Sequence, residues 1–241
     1  MKIFKQHALQ IHALHFTILF ALYFAFVINI PILISISHTL NRIYGNNITA
    51  YCSVAVAIFC IMNLIFLLLS LRYIVKPLFI LILLISTFLS YATYSYGTIF
   101  NSEMLQNILQ THYSESTSYL TSTFFIWLTA MGIIPSILIY KIKIVFPSYL
   151  KETLQKLTAA LLTFVLLIIA VAPGYKGYAS VIRNNPQLQK MLIPTQWAYT
   201  LGLMVKNIYF TKKIDYRLIG LDATNRAKPL ADRPNHHLPA F

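Results

Sequence analysis

Five long apolar runs dominate this sequence, and each is about as long as a helix that crosses a lipid bilayer. They cover residues about 14–34, 48–71, 77–96, 122–140 and 154–172. Hydrophobic residues make up 58% of the 241 residues and charged residues only 10%, whereas soluble domains carry about 25% charged residues. Because a backbone in lipid must pair its own polar groups, these runs predict helices. The expected fold class is all-α, a polytopic membrane protein with five transmembrane helices.

The two ends of this series leave alternatives open. The first run is longer than the apolar core of a signal peptide, which favours a retained span, although Ser35 and Ser37 leave cleavage as an alternative. Pro31 near its end is expected only to bend that helix, and Pro173 is expected to stop the fifth helix. A sixth span over 191–210 is the alternative for the tail. It is disfavoured by four residues that are polar or break helices, Pro194, Gln196, Lys206 and Asn207.

Basic residues give the chain a formal net charge of +13, and their positions predict its orientation. The amino terminus, the turn at Arg72 and Lys76, and the loop 141–156 are basic, which places them in the cytoplasm by the positive-inside rule. With five spans, the loop 97–121 and the whole tail then lie on the periplasmic side of a bacterial inner membrane. Because no nucleic-acid motif accompanies the basic residues, nucleic-acid binding is excluded.

The tail after the fifth span divides into two parts by composition. Residues 174–221 mix basic residues with tryptophan and tyrosine, which is typical of helices that lie on a membrane surface. Residues 222–241 are rich in proline, charge and small residues and are interpreted as a linker. The predicted domains are therefore a five-helix transmembrane domain over 1–173, periplasmic bridging helices over 174–221, and a linker over 222–241.

A polar stretch interrupts the apolar pattern between the third and fourth spans. Glu103, Asn107, Thr111 and Glu115 recur every four residues, which on a helix aligns them along one face. A carboxylate, an amide and a hydroxyl in one row can hold a cationic head group at the membrane surface. A solvated amphipathic loop helix is the alternative interpretation. Glu103 is also explained as a charge that is favourable at a helix amino terminus, and it is left out of the site.

Three features together resemble one family. They are the five-span layout, the stretch QNILQTHYSESTSYL over 106–120, and the segment GYASVIRNNPQLQKMLIPTQW over 177–197, which runs on to IGLDATNRAKP. The chain resembles the lipid A phosphoethanolamine transferases, which include the mobile colistin-resistance enzymes. The resemblance covers essentially the whole chain, but only the amino-terminal membrane domain of such an enzyme.

The resemblance implies substrates, a mechanism and a set of site residues. In that family the membrane domain docks phosphatidylethanolamine and lipid A, and a soluble periplasmic domain transfers the head group through a threonine nucleophile and zinc. Asn107, Thr111 and Glu115 would accordingly line the phosphatidylethanolamine head-group site. Arg183 would contact a lipid phosphate in the bridging segment. Asn29 and Asn63, which lie inside spans, are interpreted as hydrogen-bonding residues between packed helices.

The sequence ends at Phe241 without the Gly-Glu-Thr turn that opens the catalytic domain of such enzymes. The nucleophile and the zinc ligands are therefore expected in a catalytic domain outside this chain, supplied in cis or in trans, and the chain alone is not expected to catalyse transfer. The expected function is lipid docking for a phosphoethanolamine transferase that modifies lipopolysaccharide and confers antibiotic resistance.

Two other functions remain as alternatives. One is a non-catalytic membrane interaction module that pairs with a separate catalytic chain. The other is a small transporter, which is disfavoured because no charged residue lies in the interior of the predicted spans. His112 in the polar stretch is interpreted as a solvated residue. The pair His236 and His237 lacks a third ligand and the spacing of a zinc site, and it is interpreted as part of the linker.

Overall fold

A computed structural model describes residues 10–45, 47–97 and 121–210, and most of them are helical. The α-helices are α1 Ala13–Tyr23, α2 Ile30–Tyr44, α3 Ile48–Leu69, α4 Val75–Tyr96, α5 Ser122–Leu128, α6 Ile134–Lys141, α7 Tyr149–Val171, α8 Tyr175–Asn184, α9 Pro186–Gln189 and α10 Thr195–Phe210. Two short strands, β1 Gln10–His12 and β2 Lys143–Val145, pair in parallel. Two π-helical turns, Phe24–Ile28 and Thr129–Ile133, follow α1 and α5, and the 3-10 turn Ala172–Gly174 follows α7.

Four helical stretches are long and apolar enough to cross a membrane, and a bent pair brings the number to five. The four are Ile48–Leu69, Val75–Tyr96, Ser122–Lys141 and Tyr149–Asn184, and the bent pair is Ala13–Ile28 with Ile30–Arg42. This confirms the prediction of an all-α polytopic membrane protein. Helix α10 has only 16 residues. It is not among the described stretches that could span a membrane, so the structure does not support a sixth span.

The first apolar run is broken, and the break is sharper than the bend expected at Pro31. Helix α1 continues into the π-helical turn, and α2 then leaves at an angle of 60°. The N–H of Asn29 donates to the carbonyl of Phe24 at 3.0 Å, one residue further back than in an α-helix. Pro31 lacks the N–H that would continue the α1 hydrogen-bond pattern, so the chain changes direction there.

A cluster of phenylalanines forms the centre of the bundle where α1, α3 and α4 meet. Phe20 lies between Phe66 and Phe79, and its ring centroid is 4.7 Å and 4.5 Å from theirs. Phe24 lies 4.8 Å from Phe66, and Phe24, Phe66 and Phe79 are fully buried. In a bilayer this close packing, and not exclusion of water, stabilises the contacts between helices.

Helix α7 packs against α3 and leaves much of its apolar surface exposed. Its exposed apolar side chains include Leu154, Leu157, Leu161, Leu162 and Ile169, as expected for a helix that faces lipid. On the packed side, the amide nitrogen of Asn63 donates to the hydroxyl of Thr163 at 2.8 Å. This bond joins two spans and confirms the interpretation of Asn63 as a helix-packing residue.

One end of the bundle, which we call the basic end, carries a partly buried ion-pair network. Glu152 lies 2.8 Å from the ammonium of Lys156 and 3.8 Å from Nε of Arg72. Lys156 also donates to the carbonyl of Ser70, and the guanidinium of Arg72 lies 4.3 Å from the ring centroid of Tyr149. These contacts tie the α3–α4 turn to the start of α7. Arg72 also donates to the carbonyl of Pro147, shortly after β2, so the strand pair lies at the same end of the bundle.

Candidate functional site

The predicted head-group residues Asn107, Thr111 and Glu115 lie outside the described residues, as does Glu103. Their role therefore stays a prediction. The structure does describe both flanks of this segment, Gly97 at the end of α4 and Thr121 at the start of α5. We call the end of the bundle where these two residues lie the loop end.

Side chains of α4 and α5 and the hydroxyl of Thr121 pack together beside this segment. The hydroxyls of Tyr91 and Thr121 are hydrogen bonded at 2.7 Å, and Thr121 also accepts from the N–H of Phe124 at 3.2 Å, which caps α5. The rings of Tyr94 and Trp127 stack with centroids 5.1 Å apart. Tyrosine and tryptophan favour the membrane–water interface, so this aromatic pair suits the level of lipid head groups.

Gly97 ends α4 in a conformation that favours glycine. Its φ is +63°, in the left-handed region, and its N–H donates to the carbonyl of Thr93 at 3.0 Å. A residue of this kind stops a helix cleanly because glycine has no Cβ to strain the turn. The chain therefore leaves the membrane helix at a defined point before it enters the polar stretch.

A second polar cluster lies where the broken first span meets the segment after α9. Asn29 is fully buried, and its side chain bonds the backbone of Ile193 in both directions. The Asn29 amide donates to the Ile193 carbonyl at 2.7 Å, and the Ile193 N–H donates to the Asn29 oxygen at 2.9 Å. The same amide donates to the carbonyl of Phe24 at 3.0 Å. The Asn29 side chain thus donates to a carbonyl at the break in the first span and holds the tail against that break.

Two serines on one face of α4 complete this cluster. The hydroxyl of Ser90 donates to the carbonyl of Ile28 at 2.6 Å, beside the break. The indole N–H of Trp197 donates to the hydroxyl of Ser86 at 3.2 Å. We call the five residues Asn29, Ser86, Ser90, Ile193 and Trp197 the junction. It packs the segment that leads into α10 against the bundle, whereas the sequence predicted only helices on the membrane surface there.

Arg183, the predicted contact to a lipid phosphate, lies exposed in the last turn of α8. The buried face of the same helix contributes Val181 to a small apolar cluster with Leu40, Ala50 and Leu188. Helix α8 is therefore amphipathic, with Arg183 on its exposed side. The contact between Arg183 and a phosphate stays a prediction.

A metal site needs several ligating side chains close together. In residues 10–45, 47–97 and 121–210, no three side chains of the histidine, cysteine, aspartate or glutamate type are grouped closely enough to hold a metal ion. No catalytic step through zinc is therefore assigned to these residues.

Sequence reasoning missed the junction, although the signals were present. Asn29 was interpreted as a bond between packed helices, but its main partner is the backbone of Ile193, 164 residues away. Ile193 and Trp197 belong to the stretch IPTQW, which carried part of the family resemblance. A polar residue in a span two positions before a proline is a signal for a broken helix whose amide needs a distant partner.

Comparison with known proteins agrees with this architecture. The sequence model of the family described as "Phosphoethanolamine transferase EptA/EptB" matches residues 58–209. The phosphatidylethanolamine transferase Mcr-2 of Escherichia coli is 31% identical over 192 residues, which are 79% of this chain and 36% of that protein. The phosphoethanolamine transferase EptA of Escherichia coli K12 is 27% identical over 187 residues, which are 77% of this chain and 34% of that protein.

A solved structure shares the fold. The integral membrane lipooligosaccharide phosphoethanolamine transferase A (EptA) of Neisseria meningitidis matches with a TM-score of 0.78 at 24% sequence identity. The match covers 86% of this chain and 38% of the neisserial chain. The chain thus spans about a third of the length of the curated relatives that it matches. With its family match over most of its membrane helices, the chain belongs to the phosphoethanolamine transferase EptA/EptB family.

Proposed function

We propose that this chain is the membrane-embedded part of a phosphoethanolamine transferase and that it docks phosphatidylethanolamine for head-group transfer to lipid A. Asn107, Thr111 and Glu115 form the head-group site. The observation that carries the proposal is the family match over residues 58–209, which includes all three residues. In the proposed orientation the amino terminus is cytoplasmic, and the loop end faces the periplasm from the inner membrane.

The chemistry of the three side chains matches the two charges of the lipid head group. The ammonium of phosphatidylethanolamine needs an anionic acceptor, and Glu115 supplies a carboxylate for a charge-assisted hydrogen bond. The Asn107 amide and the Thr111 hydroxyl can donate to phosphate or glycerol oxygens. Recognition of the ammonium by Glu115 would distinguish phosphatidylethanolamine from phosphatidylglycerol, which has no amine.

The geometry at the loop end supports this placement. The hydroxyls of Tyr91 and Thr121 lie 2.7 Å apart, which holds the flank at Thr121 against α4, and Tyr94 with Trp127 provides a stacked aromatic pair on the same two helices. A segment held at both flanks loses less conformational entropy when it closes on a ligand. Such a frame supports a site at head-group level, within reach of a lipid that diffuses in the same leaflet.

The chemical step belongs to a catalytic domain, joined to this chain or provided separately. The family resemblance assigns the threonine nucleophile and the zinc ions to that domain. The role of this chain is to bind the donor lipid and to present its phosphate at the membrane surface. Lipid A as the acceptor and the mode of pairing with the catalytic domain are parts of the same proposal.

The matched substitutions Glu115→Gln and Glu103→Gln test the head-group site. The purified protein is placed in nanodiscs, and binding of a fluorescent phosphatidylethanolamine is measured in competition with phosphatidylglycerol. A hydrogen bond to a charged group contributes about 1.5–3 kcal/mol, so Glu115→Gln is expected to weaken phosphatidylethanolamine binding by about tenfold or more. Glu103→Gln controls for a general loss of negative charge and is expected to bind like the unsubstituted protein.

Equal binding by the Glu115→Gln variant and the unsubstituted protein would contradict the role of Glu115. Equal weakening by both substitutions would indicate a general electrostatic effect and would also count against a specific site. In a chain that carries the catalytic domain, Glu115→Gln is further expected to lower transfer without lowering the amount of folded protein in the membrane.

A further inference from the structure

An apolar cavity of about 340 Å³ lies between the bundle and the two amphipathic helices α2 and α8. Its walls come from α2, α3, α7, α8 and the segment after α9, with Ile36, Ala57, Leu167, Val171, Val181 and Leu192 among the lining residues. Its volume lies in the range of ligand sites, about 300–1,000 Å³. The cavity is partly open, so a ligand can enter from outside the protein.

The lining of this cavity favours a hydrocarbon occupant. Among its described lining residues, polar side chains come only from Ser53, Tyr178 and Gln189. The hydroxyls of Ser53 and Tyr178 are hydrogen bonded to each other, so they offer little to a polar ligand. A cavity with so few free polar groups does not hold water well. An acyl chain fits this environment.

A polar cleft of about 530 Å³ continues from the cavity towards the loop end. The start of α3 and the turn between α7 and α8 form it, and its lining includes Asn47, Thr49 and Lys176. Tyr178 lines both spaces, which therefore meet at its side chain. Its ring lies against Gly174, where a Cβ would be 2.5 Å from the nearest ring carbon. The glycine thus makes room for the side chain that the two spaces share.

The two spaces together have the dimensions of one membrane leaflet. On α3, Thr49 lines the cleft and Ile61 lines the cavity. At 1.5 Å per residue these two positions are roughly 18 Å apart along the helix. Half of a hydrocarbon core is about 15 Å. A phospholipid whose acyl chain fills the cavity therefore has its phosphate in the cleft.

Charge in the cleft selects the head group. Lys176 is exposed, and an ammonium pairs readily with phosphate. None of the described residues that line the cleft is acidic. A lipid amine would therefore lie near Lys176 without a carboxylate partner, which disfavours phosphatidylethanolamine. An anionic head group meets no such repulsion.

We propose that the cavity and the cleft together form a site for an anionic glycerophospholipid, with one acyl chain between α2, α3 and α7 and its phosphate at Lys176. The described residues that line this site do not include Asn107, Thr111 or Glu115, which form the head-group site of the proposed function. The lipid fills the space that α2, α3, α7 and α8 enclose.

Photolabelling tests the cavity. The purified chain is placed in nanodiscs with phosphatidylglycerol that carries a diazirine in one acyl chain, and labelled peptides are identified by mass spectrometry. Labelling is expected on the stretches 53–61 and 178–192. Val171→Phe fills the cavity and is expected to remove most of this labelling. Val165→Phe, at a position on the same helix that is 45% exposed and does not line the cavity, is expected to leave it unchanged.

Labelling of the Val171→Phe variant at the level of the unsubstituted protein would overturn the proposal. If Val171→Phe fails to give a folded protein on size-exclusion chromatography, Ala57→Phe fills the same cavity from α3 and decides the question. Labelling confined to the exposed face of α7 would also overturn it, because that face contacts lipid in any membrane helix.

The lysine is tested by head-group preference. The same diazirine chain is carried by phosphatidylglycerol or by phosphatidylethanolamine, and phosphatidylglycerol is expected to label the cavity more strongly. Lys176→Gln is expected to abolish this preference, and Lys190→Gln, an exposed lysine that lines neither space, is expected to retain it. Equal labelling by both lipids in the unsubstituted protein would refute the role of Lys176. Glu115→Gln is expected to leave this labelling unchanged, so failure of the head-group proposal is separable from failure of this one.

Discussion

The Asn29→Leu substitution is expected to destabilise the bundle far more than the small change in side-chain volume suggests. Leucine fills a similar space but offers the backbone of Ile193 neither a donor nor an acceptor. Ile193 is 5% exposed, so its N–H and C=O then lose their partners at 2.9 and 2.7 Å without gaining water. A buried polar group without a partner costs about 1–3 kcal/mol. Loss of the partners of both groups is therefore expected to reduce the free energy of unfolding by roughly 2–6 kcal/mol.

Asn63→Leu is the matched control, because it changes the same residue type inside another span. Asn63 donates a single bond to Thr163, and Thr163 still donates to the carbonyl of Ala159 at 2.7 Å when that bond is lost. Among the described atoms, the side-chain oxygen Oδ1 of Asn63 is buried without a hydrogen-bond partner. Polar contacts between membrane helices contribute about 0.6 kcal/mol on average. The control is therefore expected to change the free energy of unfolding by less than about 1 kcal/mol.

Both variants are measured by unfolding in mixed micelles of mild detergent and sodium dodecyl sulfate. Hydrogen exchange read by mass spectrometry locates the effect, and the peptide that contains Ile193 is expected to lose protection in Asn29→Leu alone. Equal destabilisation by the two substitutions would refute the reasoning. Unchanged protection at Ile193 in the Asn29→Leu variant would refute it independently, since the bond to Asn29 would then not be what protects that amide.

Two further predictions concern the junction and the basic end. Trp197→Phe keeps an aromatic ring but removes the bond to Ser86, and it is expected to lower the free energy of unfolding by about 1 kcal/mol; Ser86→Ala should add little in that background, and full additivity in the same unfolding assay would contradict the pairing. Glu152→Gln removes the charge between Lys156 and Arg72, with an expected loss of about 1–3 kcal/mol at low salt. That loss should shrink in concentrated salt because ions screen partly exposed charges, and an effect independent of salt would argue against the network.

The fold was predictable from the sequence because one physical constraint dominates it. A backbone in lipid has to form helices, so the apolar runs gave both the class and the approximate number of spans. The role of Asn63 in helix packing was predictable because an amide inside a span favours a partner on a neighbouring helix, whereas its partner, Thr163, was not.

The junction was not predictable in the same way, because it depends on a contact between distant parts of the chain. The pattern around Pro31 indicates a bend, but the partner of Asn29 at the break, Ile193, lies 164 residues further along the chain. Likewise, the composition of residues 174–221 is typical of surface helices and does not reveal that Ile193 enters the main core. The roles of Asn107, Thr111 and Glu115 rest on their local spacing and on the family, and they remain predictions.

The pairing of Asn29 with Ile193 also sets the order in which this protein can be completed during its synthesis. The two residues are 164 positions apart. At about 5–20 residues per second, roughly 10–30 s pass between their emergence from the ribosome. Throughout that interval the first span lies in the membrane with an amide that lacks its final partner. A nascent chain can therefore insert all of its spans and still be unfinished, because the buried amide of Asn29 gains its backbone partner only when the tail packs against the first span.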